Sequence, residues 1–170
     1  MTSEQATFLA QQFVHSMKSE VPATLKVLAA VNDEQRSYRP DDRSRTAWEL
    51  ATHLATADVG FLESILTGAF TYDGERTKSL IGSFGSGADV VRFYEREFGP
   101  RLDRIAALPA EDLLRVIDFY GMIQQRAVQY LTFANNHSVH HRGQLAAYLR
   151  AMGSKVPAIY GDSADEVITR

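Results

Sequence analysis

Apolar side chains recur three and four positions apart, not alternately, through four long stretches of this 170-residue chain. That period belongs to α-helices with one buried face, and it limits the fold more than any other feature of the sequence. The first stretch runs from about Ser3 to Val31, with Phe8, Leu9, Phe13, Met17, Leu25 and Leu28 facing inward. Pro22 predicts a kink or a break within it, because proline removes a backbone donor and crowds the preceding turn. The polar stretch "NDEQRSYRPDD" follows as a connector. A second helix starts at Thr46, whose spacing to Glu49 is that of a capping box; its apolar pattern runs from Trp48 to Leu66, and Gly68 suits its end. A third is expected from about Ala88 to Ala107, bent at "FGP", and a fourth from about Met122 to Met152, stopped by Gly153 in a left-handed cap.

Three segments fall outside this pattern. "YDGERTKSLIGSFGSG" reads as a flexible glycine-rich loop, since it lacks the lysine and following Ser or Thr of a phosphate loop. "LLRVIDFYG" leaves room for a short extended piece around Val116, Ile117 and Phe119, and the tail "SKVPAIYGDSADEVITR" reads as irregular. Four long helices and no convincing set of strands predict an all-α four-helix bundle, with residues 1–170 forming one domain large enough to bury a core without staples.

Composition excludes some partners. With 23% charged residues, 45% hydrophobic ones and a net charge of −3, the chain lacks the electrostatic footprint of a nucleic-acid binder. "RSYRPDDRSR" holds four arginines in ten residues, but two aspartates interrupt it and no aromatic platform repeats, so a solvated loop is expected. There are no cysteines, so any thiol chemistry would need an external co-substrate. The first residues lack the basic and then apolar pattern of a signal peptide, and no apolar run is long enough to cross a bilayer. A cytoplasmic location and no membrane partner are expected.

The feature demanding an explanation is "NNHSVHHRGQLAAYL", which holds three of the five histidines. On a helix, the line through His137 also contains Arg126, Tyr130, Phe133, His141, Gln144 and Tyr148, a polar and aromatic stripe of the kind that faces an internal cavity. The i, i+4 spacing of His137 and His141 lets both imidazoles reach one ion, and a third ligand must then come from another element. His53 is the candidate, because the small residues Ala57, Gly60 and Ser64 follow on its own line while Leu50, Leu54, Phe61 and Ile65 form the adjoining apolar arc. His140 competes with His141 through its i, i+3 spacing. Glu49, one turn before His53, reads as a cap before it reads as a general base, and His15 reads as surface or boundary. Packed histidines with no metal are the plain alternative.

"RPDDRSRTAWELATHLATAD" and "NNHSVHHRGQLAAYLRAMGSKVPAIYG", at this separation, resemble the DinB-like family of four-helix-bundle metalloproteins over nearly the whole chain. The family is unrelated to the error-prone polymerase that shares its label. The resemblance implies one histidine ligand from the second helix and two from the fourth, which by position are His53, His137 and His141; His140 falls at the family's non-ligand histidine. It also implies a homodimer, and a divalent transition metal, zinc or nickel first, with iron, manganese or copper as alternatives.

Three neutral histidines leave a coordination position open, which predicts a metal-dependent transferase using a low-molecular-weight thiol, or a hydrolase, acting on an unspecified small molecule. The competing class is a non-catalytic protein whose ion stabilises the bundle or its dimer. Helical phase nominates Tyr130 and Gln144 as pocket-lining groups and Arg126 as an anchor for an anionic substrate. The far wall of the pocket is expected from the first and third helices and from "AIYGDSADE" of the tail. No catalytic residue is identifiable.

Overall fold

A computed structural model describes residues 1–168. Its frame is four long helices: α1 (Ser3–Ala29), α2 (Ala47–Thr67), α4 (Gly87–Ala106) and α6 (Ala127–Ala151), with the shorter α3 (Gly74–Gly82) and α5 (Ala110–Leu114) between them. A two-stranded antiparallel hairpin, β1 (Val116–Phe119) and β2 (Ile123–Arg126), precedes α6. α4 and α6 each pack against both α1 and α2, so the four form a ring around one core. The fold is a four-helix bundle.

Caps explain where the frame helices begin. Thr2 and Gln5 close a reciprocal capping box on α1, and Thr46 and Glu49 do the same on α2, with the Glu49 amide donating to Thr46 Oγ1 at 3.1 Å and the Thr46 amide to Glu49 Oε2 at 2.8 Å. Gly68 and Gly153 both take positive φ at helix exits, as their positions in the sequence suggest.

Several expectations are corrected. Pro22 does not break α1, which runs unbroken from Ser3 to Ala29, held on both sides of the proline by buried Met17, Thr24, Val27 and Leu28. The inward line of α1 is Ala6, Ala10, Val14 and Met17; Leu9 and Phe13 lie at its edge, and Phe8 is exposed. The supposed flexible loop contains α3, capped by Asp73, which accepts from the Arg76 amide at 2.9 Å. The fourth frame helix starts at Ala127 rather than near Met122, because Ile123–Arg126 pair with β1 in register Phe119↔Ile123 to Val116↔Arg126. Tyr120 and Gly121 turn that hairpin with φ of 53° and 73°, the left-handed pair that suits the strands' twist and that glycine adopts without strain.

The tail is irregular, as expected, but does not reach over the pocket. It lies along α1: Lys26 pairs with Glu166, and the Tyr160 hydroxyl donates to Glu20 Oε2 at 2.8 Å. Arg142 of α6 is buried beneath it, 1% exposed, donating to Glu20, to Thr24 and to the Tyr160 hydroxyl. No helix among the described residues is long and apolar enough to cross a membrane.

Candidate metal centre

α2 and α6 pack together, and their contact brings His53 opposite His137 and His141. One ring nitrogen from each lies within 4.8 Å of the others. The rings stand edge to face, with centroids 5.1 Å apart for His53 and His137, 4.6 Å for His53 and His141, and 4.4 Å for His137 and His141. All three are half-buried. His140 is exposed, against the outer side of His141 at 4.9 Å, and His15 is exposed on α1.

The donor set fits a transition-metal ion. Nε2 of His137 lies 3.3 Å from Nε2 of His53. Two metal–nitrogen bonds of about 2.0–2.1 Å at a tetrahedral angle place their nitrogens about 3.3–3.4 Å apart. The far sides of the rings are anchored as a ligand histidine requires. Asp58 Oδ1 takes the Nδ1 side of His137 at 3.3 Å, and Gln144 Oε1 takes that of His141 at 2.8 Å. A hydrogen on each Nδ1 leaves the Nε2 lone pair free to ligate.

Asp58 was not singled out by the sequence reading, yet it is the deepest polar group of the site. It is 1% exposed, and its Oδ2 accepts from the Tyr94 hydroxyl of α4 at 3.2 Å. Burial raises its carboxyl above the usual carboxylate range, opposed by His137, Ser138 and Tyr94. A signal existed: Asp58 is four residues after Leu54 and three before Phe61, a charged side chain in a core register.

Burial and neighbouring charge favour the neutral form of His53 and His141. His53 is lowered to about 3, first by burial, then by the Arg45 charge and by the other two histidines. His141 is lowered as well, chiefly by burial. Neutral imidazoles are the form that binds metal.

An open cavity of about 980 Å³ begins at His53 and His137 and follows the outer side of α2. Ala57, Gly60 and Ser64, the small residues on the His53 line, are all in its wall, and a Cβ added at Gly60 would meet nothing within 4 Å. Its far side is built by α3 and the hairpin, not by α1, α4 or the tail. Phe61, Phe70, Phe119 and Phe133 share that space, with centroids 5.2 Å apart for Phe61 and Phe133 and 4.9 Å for Phe70 and Phe119. The Phe61 ring also lies 5.0 Å from that of His137, so the aromatic floor starts at the centre itself.

The three pocket nominations fare differently. Gln144 meets His141 rather than the cavity. Tyr130 is fully buried, its hydroxyl donating toward Ile117 O and Ile123 O at 3.1 and 3.0 Å, because the hairpin covers the helical line at that height. Arg126 sits opposite Val116 at the end of the hairpin and is not part of the cavity wall.

The model of the DinB family matches residues 1–168. The chain belongs to the DinB family. Among the relatives of this DinB protein, YrdA of Bacillus subtilis strain 168 is 26% identical over 155 residues, which are 91% of this chain and 89% of YrdA. A crystal structure of a DinB-like protein from Bacillus cereus ATCC 10987 is 27% identical, with a TM-score of 0.70 over 88% of this chain and 97% of that one. YfiT of Bacillus subtilis, described as a probable metal-dependent hydrolase with an unusual four-helix bundle topology, shares the fold at 18% identity, with a TM-score of 0.65 over 91% of each chain.

Proposed function

We propose that this protein is a metal-dependent hydrolase whose divalent ion is held by His53, His137 and His141. The observation that carries the reading is an incomplete ligand shell at the end of an open cavity. Among the described residues the cluster holds three histidines and no fourth acidic, histidine or cysteine ligand, whereas structural zinc sites are usually closed by four. A cavity of about 980 Å³ reaches His53 and His137, which a site serving only to stabilise the bundle does not need. The description of YfiT points the same way.

A divalent ion in such a site supplies Lewis acidity, activating a water or polarising a carbonyl. The chain's own residues supply placement. Asp58 and Gln144 hold the outer nitrogens of His137 and His141, so both rings keep the orientation and tautomer that ligation needs. The Tyr94 hydroxyl in turn holds Asp58. Phe61, its ring beside those of Phe133 and His137, lines one side of the approach with an apolar surface. Glu49 lines the cavity, but Thr46 holds its carboxyl below the usual range, which makes it a weak base.

The test is metal content by mass spectrometry on protein purified without a metal-binding tag. About one equivalent of a transition metal, largely lost in His137→Ala with helicity unchanged by circular dichroism, supports the reading. A wild type that arrives empty and takes up neither zinc nor nickel overturns it. Ester and amide panels, run with and without a low-molecular-weight thiol, then report the nucleophile; turnover only with added thiol would replace hydrolase by thiol transferase.

A further inference from the structure

The cavity's wall also carries information about what it accepts, and this inference rests on the reading of that cavity as a substrate site. The geometry points to an amphiphilic organic anion as the substrate class, its anionic group facing Arg45 and its aromatic or alkyl body lying on the floor of Phe61, Phe70, Phe119 and Phe133.

The sign of the preference comes from which charges have partners. Three acids line the cavity, and each is engaged. Glu49 Oε2 takes the Thr46 amide and hydroxyl, Glu63 Oε2 takes Arg101 Nε at 2.9 Å, and Asp73 caps α3. Arg45 and Arg76, the two basic residues of the wall, have no ion pair or side-chain hydrogen bond among the described residues. Arg45 and Arg76 are thus the charged side chains of the wall that an anion can take without competing with an existing partner, whereas Glu63 is already paired with Arg101 and Glu49 and Asp73 are already held by Thr46 and by the Arg76 amide. Of the two, Arg45 stands at the entry to α2, close enough for its charge to act on both His53 and His141. Arg76 lies across the cavity on α3.

The order of groups along α2 fixes how such a molecule lies. Arg45 comes first, His53 follows, and Phe61 is eight residues beyond His53, about 12 Å along the helix axis at 1.5 Å per residue. An anion at Arg45 with its body on the phenylalanines thus spans the histidine cluster and puts the linkage between its two halves beside His53 and His137. A cation finds carboxylates that each already hold a hydrogen-bond donor, and a small polar substrate leaves the aromatic floor uncovered.

Three probes of one shape and different charge test this: 4-phenylbutyrate, 4-phenylbutan-1-ol and 4-phenylbutylamine. Their binding to the full-length protein is measured by calorimetry and by amide chemical shifts, first metal-free and then zinc-loaded. On the metal-free protein the carboxylate is expected to bind about tenfold tighter than the amine, with the alcohol between, and to shift amides around Gly60, Phe61 and Phe133. R45Q, a change at an exposed position ahead of the helix, brings the carboxylate to within about twofold of the alcohol and leaves the alcohol unaffected. The proposal is overturned if the amine binds as tightly as the carboxylate, if R45Q leaves the carboxylate unaffected, if the shifts map elsewhere, or if none of the probes binds. Because these results are obtained without metal, they stand apart from metal uptake. A protein that binds the carboxylate but takes up no metal sinks the hydrolase reading alone, and one that loads metal but ignores the probes' charge sinks this one alone.

Discussion

Gly60 stands near the middle of the 21-residue α2, where glycine is a poor choice for the helix and a Cβ would meet nothing within 4 Å. Glycine inside a helix is less favourable than alanine by about 0.8–1.0 kcal/mol, from the backbone freedom it gives up on folding. With no clash to set against that gain, Gly60→Ala is expected to stabilise the metal-free protein by nearly the full amount. For a domain of this size that raises Tm by roughly 2–4 °C. Gly60→Leu keeps most of the helical gain, since leucine ranks just below alanine, but projects its side chain into the cavity between His53 and the phenylalanine floor. Urea unfolding at fixed pH gives the stability, and titration with 4-phenylbutyrate gives the affinity. The expected signature is opposite movement: both variants more stable, and Gly60→Leu binding at least about tenfold more weakly. A Gly60→Ala variant less stable than wild type would refute the reasoning, since it would mean the added methyl meets protein and the space is not open. Unchanged affinity in Gly60→Leu would show that ligands do not occupy this stretch of the cavity.

Other perturbations probe what surrounds the centre. Asp58→Asn keeps the shape but weakens the hold on His137, and zinc affinity by competition with a chromophoric chelator should drop about 10–100-fold; an unaltered affinity would remove Asp58 from the site. Glu20→Ala leaves Arg142 buried with only neutral partners and should cost about 3 kcal/mol in urea unfolding, the low end for breaking a buried pair, because Thr24 and the Glu20 carbonyl still accept from it. A loss under 1 kcal/mol would show the pair to be solvent-screened. For pH, His53 titrates near 6.5 when unfolded and at about 3 when folded, so between those values the unfolded chain binds the extra proton. Stability of the metal-free protein therefore falls as pH is lowered from about 6.5 toward 3, and His53→Gln should flatten that slope, measured as the urea midpoint at pH 7, 6 and 5. An identical slope in the variant would place the acid sensitivity elsewhere.

The helical frame was legible because its signals are local. Thr46 and Glu49 cap α2 as their spacing predicts, and the arc of Leu50, Leu54, Phe61 and Ile65 is buried as its period predicts. The convergence of His53 with His137 and His141 could be anticipated for the same reason, since helical phase decides which side chains face a partner helix. What escaped was decided by tertiary packing. Tyr130 shares the phase of His137, but nothing in that phase says a hairpin will cover it and take its hydroxyl. α3 is only nine residues long, begins and ends on glycine and is followed by "SFGSG", so with its flanks it reads as a loop, though Asp73 ahead of Gly74 and Glu75 was a usable start signal. Asp58 and Arg142 were each readable as charges in a core register. Their partners, Tyr94 on α4, Glu20 on α1 and Tyr160 in the tail, lie too far away in sequence for any spacing rule to find.

The cavity's two sides belong to different parts of the chain. The three histidines and Asp58 stand on α2 and α6, whose positions are locked by the core of the bundle. The opposite wall is α3 and the β1–β2 hairpin, both carried on connections between frame helices. The hairpin is tied to α6 through Tyr130 and to the core through Ile117, so it is α3 and the hairpin's exposed tip, residues 120–122, that can be resurfaced without disturbing the packing between α2 and α6. The histidine cluster is thus set by the rigid part of the molecule, while one wall of the cavity beside it is carried on segments that can change without moving a single one of those histidines.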